Sequence, residues 1–242
     1  MPELPEVETI ARGLNNHLVN KQIVALDIRC SKIINGDEES FRRIICGLRI
    51  KRIYRYGKYL FLVLSTEVVV SIHLRMSGQL FLNGYEAIPA KHTHLDFYFK
   101  NYNKKLSYRD IRKFGRLEII SKGDISRYIR TKKLGPDALE IDSVSLSTAL
   151  KSSKRPLKAL LLDQSLLAGL GNIYVDEALF LAGILPFTSG NKLTGSQMEI
   201  LLNAISEVLQ QAIKNRGTTL SDFIDVHGKQ GSNQFFMDGA LY

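Results

Sequence analysis

At Leu134-Gly135-Pro136-Asp137 the hydrophobic pattern changes period, and no other feature constrains the fold as much. Before this point, after one opening helix, apolar residues alternate; after it they recur every three or four positions. The segments Gln22–Cys30, Arg49–Tyr56, Tyr59–Ser65, Val68–Leu74, Gly78–Leu82, His92–Lys100 and Arg116–Ile120 are short and rich in β-branched or aromatic residues. Turn signals such as Tyr56-Gly57-Lys58 and Asn83-Gly84 separate them, which predicts seven or eight strands in an antiparallel sandwich. Ahead of them Val7, Ile10, Ala11, Leu14 and Leu18 predict a helix from about Pro5 to Val19, with Glu3, Glu6 and Glu8 at its positive end. Beyond the change, Ser143–Lys151, Pro156–Gln164, Ile173–Ala182 and Ser196–Asn215 read as helices. The last of these is opened by a Thr194/Gln197 capping box and closed by Gly217, and Thr218–Tyr242 reads as loop. The expected class is therefore α+β, with a sandwich domain over residues 1–134, a helical domain over 135–242, and Gly135-Pro136 as a hinge.

Charge divides at the same place. Residues 1–134 carry 25 Lys and Arg against 13 Asp and Glu, whereas residues 135–242 carry 8 against 11. A basic field confined to one half fits a polyanionic partner, because each cation that neutralises a phosphate releases condensed counterions; a merely basic solvated face has the same composition. The most apolar runs, Leu60–Leu64 and Val68–Leu74, are far shorter than the roughly 18 residues of a membrane span. The start Met1-Pro2-Glu3-Leu4-Pro5-Glu6 lacks the pattern of a secretory signal, so a cytosolic or nucleoid protein without a membrane partner is expected. Cys30 and Cys46, without a CxxC pair, predict two reduced thiols rather than a disulfide or a metal site.

Several residues carry possible chemistry. Removal of Met1 would leave Pro2 with a free secondary amine, a nucleophile toward aldehyde carbons, with Glu3 and Glu6 close by as proton donors. Taken alone, a Met-Pro start followed by capping acids fits an ordinary helix start better than a nucleophile. Lys58 sits at a strand-to-strand turn, either solvated or aimed at a phosphate. Gly169, Gly171 and Asn172 lie between two helices, where the glycines permit close approach and a helix N-terminus with Asn172 as N-cap can bind a phosphate; a simple tight turn needs the same residues. Ser107–Arg116 interleaves cations with aromatics in an expected loop, and Met76 ends a strand. Such residues serve as wedges in a nucleic-acid groove, although a Met at a strand end also serves as core.

The motifs MPELPEVET, RYGKYLFL, HLRMSGQL, KHTHLDF, YRDIRKFGRL, KLGPDAL, LLDQSLLAGLGNIYVDEALFLAGILP and RGTTLSDF follow in order from Met1 to about Gln234. Together they resemble the bacterial formamidopyrimidine-DNA glycosylases, repair enzymes for oxidised purines. The LPEVET start and the Met76, Arg112, Phe114 set are closer to this family than to endonuclease VIII.

The resemblance implies a bifunctional glycosylase and AP lyase in base excision repair, acting as a monomer on 8-oxoguanine and formamidopyrimidines in damaged double-stranded DNA. Pro2 would form the Schiff base at C1′ and Glu3 would protonate the deoxyribose, while Lys58 would hold a phosphate and assist β- and δ-elimination. Met76, Arg112 and Phe114 would fill the gap left by the flipped base, and His92, Lys154 and Asn172 would contact the DNA backbone. The helical domain would hold a helix–two-turn–helix element, with a lesion loop at about 217–237 centred on Asp222–Phe236. The family's four-cysteine zinc finger has no counterpart before Gly239-Ala240-Leu241-Tyr242. No cofactor is therefore expected in this chain, and one zinc ion only where the protein continues into that finger. Without the finger, the competing expectation is a non-catalytic or lyase-only protein that binds damaged DNA.

Overall fold

A computed structural model of the chain describes residues 1–140 and 143–237; the expectations for the last five residues lie outside them. In chain order the elements are α1 (Leu4–Leu18), β1 (Ile23–Ile28), β2 (Ile34–Asn35), α2 (Glu38–Ile45), β3 (Ile50–Tyr56), β4 (Tyr59–Leu64), β5 (Val68–His73) and β6 (Gly78–Gly84). Then come β7 (Thr93–Phe99), β8 (Lys104–Asp110), β9 (Arg116–Ser121), α3 (Ile125–Thr131), α4 (Ser143–Lys151), α5 (Leu157–Leu161), α6 (Asn172–Leu181) and α7 (Gly195–Lys214).

The strands form two sheets, β1-β7-β8-β6 and β2-β9-β5-β4-β3, antiparallel throughout except for the short parallel pair β2–β9. Alternation sets which side chains meet: Leu60, Leu62, Leu64, Val70 and Ile72 enter the main core, where the stripe of α1 packs with them. Phe61, Val63 and Val69 point the other way and are covered by Tyr128 of α3. That second cover explains why β4 is apolar at every position rather than alternating.

Among the described residues there are nine strands rather than seven or eight, helices α2 and α3 join the sandwich half, and two further local differences have a visible cause. Ser107–Arg116 is not all loop: its first residues belong to β8, paired between β6 and β7, and only Ile111–Gly115 form the turn. Cations at Lys104, Lys105 and Arg109 mask the strand pattern, because Lys105 and Asp96 are buried against each other at 3.2 Å. Helix α5 stops at Leu161 instead of Gln164. Gln164 is drawn out of the helix to donate to Leu170 O at 2.7 Å and to accept from the Gly169 N–H at 3.0 Å, holding the turn that follows.

A second core joins α4 to α7, and Leu4, the first residue of α1, belongs to it while Val7 onward belong to the first. Helix α7 opens with the expected capping box, Gln197 N–H on Thr194 Oγ1 at 3.2 Å and Thr194 N–H on Gln197 Oε1 at 3.1 Å. The segment expected as a hinge is instead bolted on both sides. Asp137 takes a bidentate bond from buried Arg55 and accepts from the Gly57 N–H at 2.7 Å, while Tyr56 donates to Gly135 O at 2.8 Å. On the helical side Ala168 N–H donates to Pro136 O and Ala138 N–H to Ala168 O. Arg55 and Asp137 are only 5 % and 3 % exposed, so Asp137→Ala leaves the buried Arg55 with Glu8 alone at 3.0 Å, strips the Gly57 N–H of its acceptor, and should cost about 3 kcal/mol in chemical denaturation. Glu67→Gln breaks an exposed pair with Lys122 and should change stability by less than about 0.5 kcal/mol.

Candidate active site

Pro2 and Glu3 precede α1 at the point where its N-terminus meets the turn that opens α6. Leu4 N–H donates to Gly169 O at 3.1 Å, and the Glu3 carboxylate accepts from the N–H groups of Gly171 and Ile173 at 2.8 and 3.1 Å. Only glycine fits this approach: Gly169 has φ +117°, and a Cβ on Gly171 would lie 2.3 Å from the Glu3 carboxyl. The expected N-cap is thereby corrected. Gly171 caps α6, and Asn172 is its first helical residue, with an exposed side chain. Two of the amides expected for a phosphate are engaged by Glu3, because an internal carboxylate is the anion at this positive helix end.

Glu6 lies behind Glu3 and is fully buried. One of its oxygens accepts from the Glu3 N–H at 2.8 Å; the other accepts from the Thr218 N–H at 2.7 Å and from the Tyr174 hydroxyl. Burial pushes the Glu3 carboxyl up to about 7, with Lys58 pulling it down, Glu6 pushing it up and the α6 amides pulling it down. Burial raises Glu6 as well, against the bonds from Tyr174, Thr218 and Glu3. Glu3 therefore exchanges a proton near neutral pH.

Lys58 is 7 % exposed, so the solvated-turn alternative does not hold. The turn that carries it uses Gly57 at φ +56° and is fixed by Asp137. Burial lowers the Lys58 pKa, and the nearby Glu3 and Glu6 raise it again. His73, not singled out from sequence, faces Tyr59 with ring centroids 4.5 Å apart and accepts the Arg75 N–H on Nδ1 at 3.0 Å. Burial and then the Arg75, Lys58 and Lys132 cations push it down to about 3, so it is neutral at pH 7. Only its place in the HLRMSG motif hinted at it. Tyr174 and Thr218 were likewise missed, since neither carries a charge pattern that marks a carboxylate's partner.

The remaining candidates fall into two groups. Met76 and Phe114 are exposed, which removes the core alternative for Met76, and Arg112 Nη1 lies 3.2 Å from Met76 Sδ, so these three form one protruding edge. His92 occupies the turn before β7 at φ +68°, and its carbonyl accepts from the Asp110 N–H at 3.0 Å, which ties that turn to the same edge. Lys154 stands apart, exposed on the turn between α4 and α5. The candidate loop Asp222–Phe236 lies along β6: Leu82 N–H donates to Val226 O at 2.8 Å, Gln79 donates to Asp222 O, and Val226 is buried in the main core. Among the described residues no group of three or more His, Cys, Asp or Glu side chains could hold a metal ion, and no helix is long and apolar enough to cross a membrane.

Comparison with known proteins agrees with this geometry. Residues 1–117 match the formamidopyrimidine-DNA glycosylase N-terminal domain, and residues 134–224 match the formamidopyrimidine-DNA glycosylase H2TH domain. The chain is 41 % identical over 237 residues to the formamidopyrimidine-DNA glycosylase of Moorella thermoacetica, covering 97 % of this chain and 86 % of that one. It is 40 % identical over 238 residues to the Streptococcus pneumoniae enzyme of the same name, covering 98 % and 86 %. Among solved structures, Lactococcus lactis Fpg in complex with abasic-site DNA superposes with a TM-score of 0.92 at 36 % identity, over 98 % of this chain and 87 % of that one. A variant of the same protein bound to Fapy-dG DNA gives the same TM-score, identity and coverage. The chain belongs to the formamidopyrimidine-DNA glycosylase family.

Proposed function

We propose that this protein excises 8-oxoguanine and ring-opened purines from duplex DNA and then nicks the strand, with Pro2 as nucleophile. One observation carries the reading. Pro2 is buried at the N-terminus beside a carboxyl that two α6 amides hold in place and burial brings to about 7, with the buried Lys58 near enough to shift it. Removal of Met1 frees the Pro2 amine, which attacks C1′ as the glycosidic bond breaks and its electrons leave with the base. Glu3, protonated in a substantial fraction of molecules near pH 7, gives its proton to the deoxyribose oxygen as the sugar ring opens and the iminium forms. Loss of the C2′ proton then expels the 3′ phosphate, and the second elimination expels the 5′ phosphate. Lys58 supports these steps as a cation for the phosphate or as a proton carrier, for which burial suits it by weakening its hold on the proton.

Met76, Arg112 and Phe114 fill the space vacated by the flipped nucleotide, while His92, Lys154 and the exposed Asn172 side chain contact the backbone. The loop Asp222–Phe236 covers the flipped base. The protein works as a monomer on chromosomal DNA in the bacterial cytoplasm.

Borohydride added to the protein on a duplex with one 8-oxoguanine should trap a covalent protein–DNA band. Acetylation of the Pro2 amine and an undamaged duplex should give none, whereas Pro2→Gly keeps a primary amine and should trap less than wild type. A band that persists undiminished after acetylation would remove the Pro2 amine as the nucleophile; salt-sensitive binding with no band on any substrate would favour a purely binding protein. The pH profile tests Glu3. Borohydride-trapped iminium formed under single-turnover conditions should fall on the alkaline side as Glu3 loses its proton above about pH 7. The Lys58 cation lowers the Glu3 pKa, so Lys58→Met should move this alkaline limb to higher pH. A limb that stays where it was would show that another group is the acid.

A further inference from the structure

Asp110, at the end of β8, has a fully buried side chain although it borders the exposed edge formed by Met76, Arg112 and Phe114. Its carboxylate accepts four hydrogen bonds. Oδ1 takes the Ser77 hydroxyl at 2.5 Å and the Arg112 N–H at 3.2 Å, and Oδ2 takes the Gly115 N–H at 2.8 Å and the Tyr108 hydroxyl at 3.1 Å. The first bond fixes the residue after Met76, and the next two bracket Arg112–Phe114. The Arg112 N–H also donates to Ser77 Oγ at 3.1 Å, closing a ring between the two turns. The backbone of Asp110 reaches a third segment, its N–H donating to His92 O at 3.0 Å while its carbonyl meets His94 Nε2 at 2.8 Å.

The neighbouring conformations show what this anchoring opposes. Arg75 and Lys113 both have positive φ, 55° and 58°, which side-chain-bearing residues adopt at a cost and which the surroundings must impose. Gly115 has no room for any side chain, since a Cβ would lie 1.7 Å from the Tyr108 hydroxyl. A buried carboxylate with all its bonds made resists reorientation, because breaking one leaves a charged group undersatisfied.

We infer that Asp110 is the positioning residue of the DNA-facing edge, setting the Met76, Arg112–Phe114 and His92 segments in one fixed relation so that they enter the duplex together. This inference rests on the proposed role of that edge in filling the vacated space, and Asp110 itself touches neither lesion nor sugar. Asp110→Asn keeps the shape but places an amide donor opposite N–H groups. Ser77→Ala removes the hydroxyl link to the Met76 turn alone.

The experiment compares each variant with wild type on two substrates: a duplex with 8-oxoguanine, carrying a fluorescent base analogue next to the estranged cytosine, and a single-stranded abasic oligonucleotide that needs no wedge. Asp110→Asn should lose about tenfold or more in duplex base release and most of the fluorescence change that reports wedge entry. Its borohydride trapping on the single strand should stay within about twofold of wild type. Ser77→Ala should shift in the same direction by less. Duplex activity and fluorescence equal to wild type in both variants would overturn the assignment, and so would an equal loss on both substrates, which marks general destabilisation. Failure of wild type itself to trap on the single strand would instead remove the proposed chemistry, and with it this role.

Discussion

The contact between Glu3 and the N-terminus of α6 is the constraint on which the rest of the site depends. It joins residues 168 and 170 positions apart in sequence and sets the chain start against the helical layer. Burying a carboxyl is costly unless its oxygens are bonded, and here the donors are backbone amides at the positive end of a helix, which cannot rotate away. The glycines follow from that geometry, because a side chain at Gly171 would occupy the carboxyl's own place and one at Gly169 would strike Leu4. Leu4 in turn anchors α1 in the second core while the remainder of its stripe lies in the first, so a single helix is shared by both layers.

This shared helix needs a joint that does not flex, and the Arg55–Asp137 pair provides it. Asp137 grips the turn carrying Lys58 from one side, and its neighbours pair with Ala168, next to the Glu3-binding turn, from the other. Lys58 and Glu3 both precede the joint in sequence, yet each is held by residues beyond it, the Lys58 turn by Asp137 and the Glu3 carboxyl by the amides of Gly171 and Ile173, in a region closed to water. Closure also tunes both groups: burial raises the carboxyl and lowers the amine, bringing them toward neutrality, while their mutual attraction limits each shift. A flexible hinge at Gly135-Pro136 would admit water and let both return to their ordinary values.

Much of this was legible in the sequence, for identifiable reasons. The stripe of α1, the alternating strands and the capping box of α7 follow from local pattern, and all three are found. Pro2, Glu3 and Lys58 could be named because the motifs that contain them are distinctive, and two of them were distinguishable from ordinary capping or turn residues only by burial. What stayed hidden depends on pairing between distant residues. Strand β8 looks like a loop because Lys105 and Asp96 neutralise each other inside, so charge there does not signal exposure. Gly135-Pro136 looks like a hinge because its clamps, Tyr56 and Arg55, lie some 80 residues away. Asn172 looks like a cap because the residue that engages the helix end, Glu3, lies at the other end of the chain.

The two parts of the site rest on separate supports, and this has a physical consequence. Glu3 and Lys58 are fixed by backbone amides and an ion pair at the junction of the cores, whereas the exposed edge is fixed by Asp110 at the end of the β-sheet. Among the described residues no hydrogen bond of Asp110 reaches the junction, and none of Glu3 or Asp137 reaches the edge. Distortion of the edge by an entering duplex therefore need not be transmitted through side-chain bonds to the carboxyl and amine. The loop after Gly217 is where the two supports approach each other: Thr218 holds Glu6 behind Glu3, while Asp222 and Val226 bind β6, the strand that follows Met76 and Ser77. Among the described residues that loop is thus the one stretch of backbone that hydrogen-bonds both to Glu6, whose other oxygen accepts the Glu3 N–H, and to β6 beside the edge.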